Sequence, residues 1–308
     1  PNQHSGLPPQ MQCFSMEPTA ASDWTKYTGL LTPTSQRGWI LRIGDPGNWT
    51  SYSSCTTYNS GAPYYAAGMS LPITTFGFTA GRWTGGVSTD WFDCKNWDDA
   101  RVPDIITPVV IDPTWAARNC EVGLVPVSAA ECASILHTSG AAARQLIVRN
   151  GSTLTIDGPL TISRTAVGGS LATTILDNSQ LSCSTVSITG ITPGALNEAI
   201  LRCEMGGTVR VEDDLTIGVG GLLDLQSVVI PSGTLYLGGD WNNLEDELKF
   251  QELNSVVRFN GNVGQTLTTA TGTEVFGSLV MEKTGGDLTL ASPIEVRTEL
   301  DLSSGRIM

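Results

Sequence analysis

The chain has 308 residues, of which 30 are acidic and 17 basic, giving a formal net charge of -13 with 40% hydrophobic and 15% charged residues. That balance excludes nucleic acid and anionic membranes as electrostatic partners, and the apolar content excludes a disordered chain. No apolar run approaches the roughly 20 residues that cross a bilayer as a helix, so no transmembrane segment is expected.

The chain opens Pro1-Asn2-Gln3-His4, with no leader pattern ahead of it, and reads as an excerpt of a longer protein. Every Trp except Trp241 and every Tyr except Tyr236 lies before Ala116. Large flat side chains build the cores of compact domains. Residues 1–80 are therefore expected to be a compact β-sandwich-like domain, or its C-terminal part, with strands at Gly38–Gly44 and Thr74–Phe78. Residues 81–115 are dense in Trp and in turn residues, the composition of a cap that closes the first coil of a solenoid.

From residue 116 to 308, short runs alternate apolar and polar residues, as in Gly151-Ser152-Thr153-Leu154-Thr155-Ile156 and Pro159-Leu160-Thr161-Ile162, broken by Gly, Asn, Asp and Ser. A period of two describes strands with one buried face. Apolar centres at Ile147, Ile175, Leu201, Leu223, Val257 and Leu279 recur at the length of a β-helix coil. The fold class is thus all-β: a right-handed parallel β-helix, preceded by the sandwich-like segment and continuing past Met308. An antiparallel β-sandwich is the competing fold. Asp240–Leu248 is expected to be an insertion with helical character.

The seven cysteines form no CxxC pair, which argues against a zinc ribbon or redox motif, and their scatter fits an oxidising extracellular setting. The candidate disulfide residues are Cys13, Cys55, Cys94, Cys120, Cys183 and Cys203, paired as Cys13–Cys55, Cys94–Cys120 and Cys183–Cys203, with Cys132 left over. Buried free thiols are the alternative.

The passage Trp83-Thr84-Gly85, Asp90-Trp91-Phe92-Asp93-Cys94-Lys95-Asn96-Trp97, Val102-Pro103, Val109-Val110-Ile111 resembles large surface proteins exported by the type IX secretion system of Bacteroidota. Val257–Gly261, Gln265–Leu267, Glu274–Val280 and Asp287–Ile307 are similar to the same proteins, so the resemblance covers about residues 78 to 308. Pro108 departs from the polar residue the family often has there. The resemblance implies a secreted, cell-surface β-helical protein with an adhesin, gliding-motility or surface-layer role, and secretion and outer-membrane machinery as partners.

Catalysis finds little support in the residues. The cluster Glu212-Asp213-Asp214 places neighbouring carboxylates on opposite strand faces, where they do not converge on one bond. His4 and His137 are the only histidines, and His137 is read as a loop residue. No GxSxG, HExxH or P-loop occurs. No cofactor and no enzymatic activity are expected. Calcium is the candidate ion, with Asp93, Asp98, Asp99 and Asp104 as its ligands, because hard oxygens suit it. Asp is also a common turn residue. Trp83, Trp91 and Trp97 are candidates for stacking on surface glycans, against the reading that they pack the cap. Asn48-Trp49-Thr50 and Asn150-Gly151-Ser152 match the N-glycan acceptor pattern. The expectation is a non-enzymatic extracellular surface protein, adhesin or stalk. The alternative is a polysaccharide-binding module, or a lyase or hydrolase, on a β-helix.

Overall fold

The computed structural model describes residues 80–99, 101–124, 127–139, 143–164, 172–191, 198–226 and 232–308. The expected compact domain over residues 1–80, together with Cys13 and Cys55, falls almost entirely outside them. Within them the chain is a right-handed parallel β-solenoid of about 7 turns, and every strand pairing is parallel.

Three sheets form its sides. The first holds β1 (Pro108–Ile111), β4 (Ser134–Ser139), β7 (Leu160–Arg164), β10 (Val186–Thr189), β13 (Leu215–Ile217), β16 (Trp241–Asp246), β19 (Gln265–Thr271) and β21 (Leu288–Leu290). The second holds β2 (Cys120–Val122), β5 (Arg144–Val148), β8 (Ala172–Asp177), β11 (Ala199–Glu204), β14 (Gly221–Asp224) and β17 (Phe250–Gln251). The third holds β3 (Ala129–Cys132), β6 (Thr153–Ile156), β9 (Gln180–Cys183), β12 (Thr208–Val211), β15 (Thr234–Leu237), β18 (Val256–Phe259), β20 (Glu274–Glu282) and β22 (Ile294–Ser304). With strands about 4.8 Å apart, an eight-stranded side runs on the order of 34 Å.

Register stacks like on like inside. In the first sheet Val109, Ile135, Leu160, Val186, Leu215, Trp241 and Leu267 are successive partners. In the second the column is Cys120, Leu146, Thr174, Leu201, Leu223 and Phe250. In the third it is Ala130, Leu154, Leu181, Val209, Leu235, Val257 and Leu279. All of these side chains are buried. Each Leu or Val withdrawn from water contributes about 1.5–3 kcal/mol, and a register slip of one residue would turn the whole column outward. The corner between the second and third sheets passes through a left-handed residue in successive coils, Asn150, Asn178 and Met205. The Asn150 amide donates to the Gly123 carbonyl at 2.6 Å, which satisfies the turn below.

Three of the apolar steps read from sequence are true register partners: Ile147 with Ile175, Leu201 with Leu223, and Val257 with Leu279. The long step from Leu223 to Val257 is not an insertion, because Leu223 pairs with Phe250 in the second sheet while Val257 belongs to the third. The expected helical character at Asp240–Leu248 is corrected likewise. Trp241–Asp246 is a strand, and only Glu247–Lys249 makes a 3₁₀ turn, capped by the Asp246 carboxylate accepting from the Leu248 amide at 3.0 Å. The solenoid also begins earlier than residue 116, since β1 already forms the first rung of the first sheet.

The cap docks on that rung. Trp83 N–H donates to Val110 O at 2.9 Å, Val110 N–H to Gly81 O at 3.0 Å, and Trp91 N–H to Glu121 O at 2.9 Å. These bonds occupy backbone groups of β1 and β2 that an open edge would leave bare. Asn96, fully buried, holds the cap loop together. Its carbonyl oxygen accepts from the amides of Val87 (3.0 Å) and Ser88 (2.9 Å), while its NH₂ donates to Ser88 Oγ (2.8 Å) and Asp90 O (2.9 Å).

Candidate functional site

The described residues singled out from sequence are spread through the cap, the core and one corner of the coils. Trp83, Trp91 and Trp97 are buried and pack edge to face, with centroids 4.9 Å apart for Trp83–Trp97 and 4.8 Å for Trp91–Trp97. Trp83 Nε1 donates to Arg118 O at 2.9 Å and Trp97 Nε1 to Trp91 O at 2.7 Å. No ring has a face open to a sugar, so glycan stacking at these three positions is corrected to cap packing.

The four aspartates do not converge. Asp93 caps the 3₁₀ turn Cys94–Asn96 through the Lys95 amide at 3.0 Å. Asp98 pairs with Arg82 at 3.3 Å. Asp99 accepts from the Arg101 amide at 3.3 Å, and burial pushes its carboxyl up to about 6. Asp104 accepts from Thr107 Oγ1 at 2.5 Å and pairs with Arg101. Among the described residues no group of three or more His, Cys, Asp or Glu side chains is arranged to hold a metal.

Two proposed disulfides are overturned. Cys120, Cys132, Cys183 and Cys203 are buried free thiols. Cys183 lies in the third sheet and Cys203 in the second, where its register partner is Leu176, so the 20-residue interval does not make one full coil. Cys120 stacks on Leu146 inside β2, while Cys94 sits in the cap turn. Burial pushes the Cys132 and Cys183 thiols up to about 12 and also raises those of Cys120 and Cys203, which leaves them as inert small hydrophobes.

His137 is not in a loop. It occupies an inward position of β4 between Ile111 and Ile162 and is fully buried. Its Nε2 lies 2.8 Å from the Arg144 carbonyl, which can only accept, so Nε2 carries the proton and Nδ1 accepts from Thr174 Oγ1 at 2.9 Å. Burial lowers its pKa to about 4. The imidazole thus braces the first sheet to the second.

Two more interior polar groups appear toward the C-terminal coils. Glu274 Oε2 accepts from Trp241 Nε1 (3.1 Å), Asn243 Nδ2 (3.0 Å) and Thr269 Oγ1 (2.6 Å), while its Oε1 has no partner and burial raises its pKa. The Lys283 ammonium donates to Val263 O at 2.8 Å, to Gly261 O at 3.3 Å and to the Gln265 side-chain oxygen, which replaces water around it. Both are enclosed structural networks.

The acids weighed for catalysis stand at a corner. Glu212, Asp213 and Asp214 are exposed. Asp214 Oδ1 accepts from the Asp240 amide at 2.7 Å, and Asp240 Oδ1 accepts from the Thr266 amide at 2.7 Å. Asp214 and Asp240 thus each satisfy a backbone amide of the next coil, a structural use that needs no substrate.

The remaining side-chain constellation is on the outer face of the third sheet. Ser182, Arg210, Tyr236 and Arg258 are successive register partners in β9, β12, β15 and β18. The Arg210 guanidinium carbon lies 3.8 Å from the Tyr236 ring centroid and that of Arg258 5.7 Å from it. Gln180, Thr208 and Thr234 form the adjoining column. This row escaped the sequence reading, although Thr208-Val209-Arg210-Val211, Thr234-Leu235-Tyr236-Leu237 and Val256-Val257-Arg258-Phe259 carry it in aligned phrases.

Compared with known proteins, the chain matches no family model, no curated protein and no solved structure.

Proposed function

We propose that this chain is a non-enzymatic extracellular surface protein, an adhesin or stalk, exported by the type IX route. What carries the reading is the interior column of successive register partners from Val109 in the first coil to Leu267 near the last, closed at its N-terminal end by the Trp83–Trp91–Trp97 cap. Such packing makes a stiff spacer: each coil rests on its neighbour, and bending requires opening parallel ladders. The acidic surface would keep neighbouring rods apart.

The polar groups support the same reading, since His137, Glu274 and Lys283 are enclosed and Asp214 and Asp240 bond backbone amides. The test has two arms. Protease treatment of intact producing cells should remove the protein, and purified chain should release no reducing or unsaturated sugar from a panel of polysaccharides. Protection inside intact cells refutes the surface assignment. Turnover abolished by Asp213→Ala or Asp214→Ala refutes the non-enzymatic one.

A further inference from the structure

We infer that the outer face of the third sheet binds a carboxylate-bearing polysaccharide, with Arg210 as the recognising residue and Tyr236 holding it in position. The inference rests on the adhesin reading and names the ligand class that such an adhesin would take.

Arg210 is set apart by what it lacks. Other described arginines reach an acid or a carbonyl: Arg82 with Asp98, Arg149 with Glu121, Arg202 with Asp224, Arg306 with Asp287, Arg118 and Arg144 with backbone oxygens. Among the described residues no carboxylate or carbonyl bonds the Arg210 guanidinium, whose carbon lies over the Tyr236 ring, 3.8 Å from its centroid. In a chain with 30 acidic and 17 basic residues, an arginine without an acid partner on an open sheet face is a site held ready for an external one. Contact with the ring restrains the side chain and so lowers the ordering cost of a bidentate bond to a planar carboxylate.

The neighbours decide between ligands. Arg258, on the far side of Tyr236, is already neutralised by Glu282, and exposed Glu212 follows Arg210 by two residues. The attraction is therefore centred on one guanidinium, and what separates ligands is the polar column beside it, which suits the ring hydroxyls of a sugar chain that a polyphosphate lacks. Beside it run Gln180, Ser182, Thr208 and Thr234, half-buried hydroxyl and amide groups at successive rungs about 4.8 Å apart. A row of hydroxyls and amides beside a single oriented cation matches a chain of uronic acids lying along the solenoid axis, with one carboxylate on Arg210 and ring hydroxyls on the polar column.

The experiment is titration calorimetry of the full chain with oligogalacturonate and oligomannuronate. A neutral cello-oligosaccharide and an oligoglutamate peptide serve as comparisons. The expected result is binding of an oligouronate that weakens with salt, falls about tenfold or more in Arg210→Ala, and is not restored by Arg210→Lys. Both variants should melt with the wild type, because Arg210 faces outward. The proposal is overturned if wild type binds neither uronate, if Arg210→Ala binds as wild type does, or if the glutamate peptide or the neutral glycan binds equally well. Release of sugar in the same samples would refute the non-enzymatic reading alone, leaving the Arg210 assignment to be judged on affinity.

Discussion

His137 Nδ1 and Thr174 Oγ1 lie 2.9 Å apart across the solenoid interior, one on β4 of the first sheet and the other on β8 of the second. Both are fully buried. The hydroxyl donates to an imidazole kept neutral, and the other ring nitrogen donates to the Arg144 carbonyl on the same side of the coil.

This brace makes stability depend on acid. Burial lowers the His137 pKa from 6.5 to about 4, so between those values the unfolded chain binds more protons than the folded one. Stability is then complete above pH 6.5 and is lost as pH falls toward 4, by about 3 kcal/mol. His137→Gln removes the titrating group and should flatten this stretch of the curve. Thermal melts of both proteins from pH 4 to 7 check it, and an unchanged slope would contradict the assignment.

Glu274 works in the opposite direction. Its pKa is raised by burial above 4.5, so the folded state prefers the protonated acid, and stability present below pH 4.5 declines as pH rises through the raised value. Glu274→Gln keeps an acceptor for Trp241, Asn243 and Thr269 and removes the charge, and should be more stable at pH 8 by about 1–2 kcal/mol. Glu274→Ala should instead lose about 2–5 kcal/mol through the cavity and three stranded donors. Urea unfolding at pH 5 and pH 8 separates the two.

In the cap, Asn96→Ala should cost about 2–4 kcal/mol, because it strips acceptors from the Val87 and Ser88 amides inside a buried loop. Hydrogen exchange should quicken at Val87, Ser88, Trp91 and Glu121 and remain slow at Leu201, in the middle of the solenoid. Uniform acceleration would mean that the cap and coils unfold as one unit.

The interior thiols should be silent until unfolding. Cys120, Cys132, Cys183 and Cys203 should resist alkylation in the native protein and react fully in guanidinium without reductant. Recovery of a linked Cys183–Cys203 peptide would contradict the register that separates them.

Much of the architecture is visible in the chain itself. Thr153-Leu154-Thr155-Ile156, Gln180-Leu181-Ser182-Cys183, Thr208-Val209-Arg210-Val211 and Thr234-Leu235-Tyr236-Leu237 are one phrase repeated, and alternation alone tells which residues face in. What alternation does not tell is which side of the coil a phrase occupies. Leu223 and Val257 look equivalent as apolar centres but belong to different sheets, which produced the false long step. The same uncertainty suggested the Cys183–Cys203 pairing.

The interior polar groups were hidden for a related reason. His137 follows Leu136 and precedes Thr138-Ser139-Gly140, a turn-like context, and only its burial and its two partners, from β5 and β8, make it a core residue. The Asp93–Asp104 cluster shows the converse. Sequence proximity suggested a shared ion, yet each carboxylate is taken up by a nearby amide, hydroxyl or guanidinium before four could meet.

The amino-acid order by itself determined strand spacing, the inward aliphatic face and the aromatic cap, because each follows from a period of two or from local composition. Only the closed coils decided which residues become neighbours: His137 beside Thr174, Glu274 beneath Trp241, Arg210 upon Tyr236. Those contacts join positions about a coil apart, and their geometry is fixed by register between parallel strands, a property of the stacked chain that no single stretch of it contains.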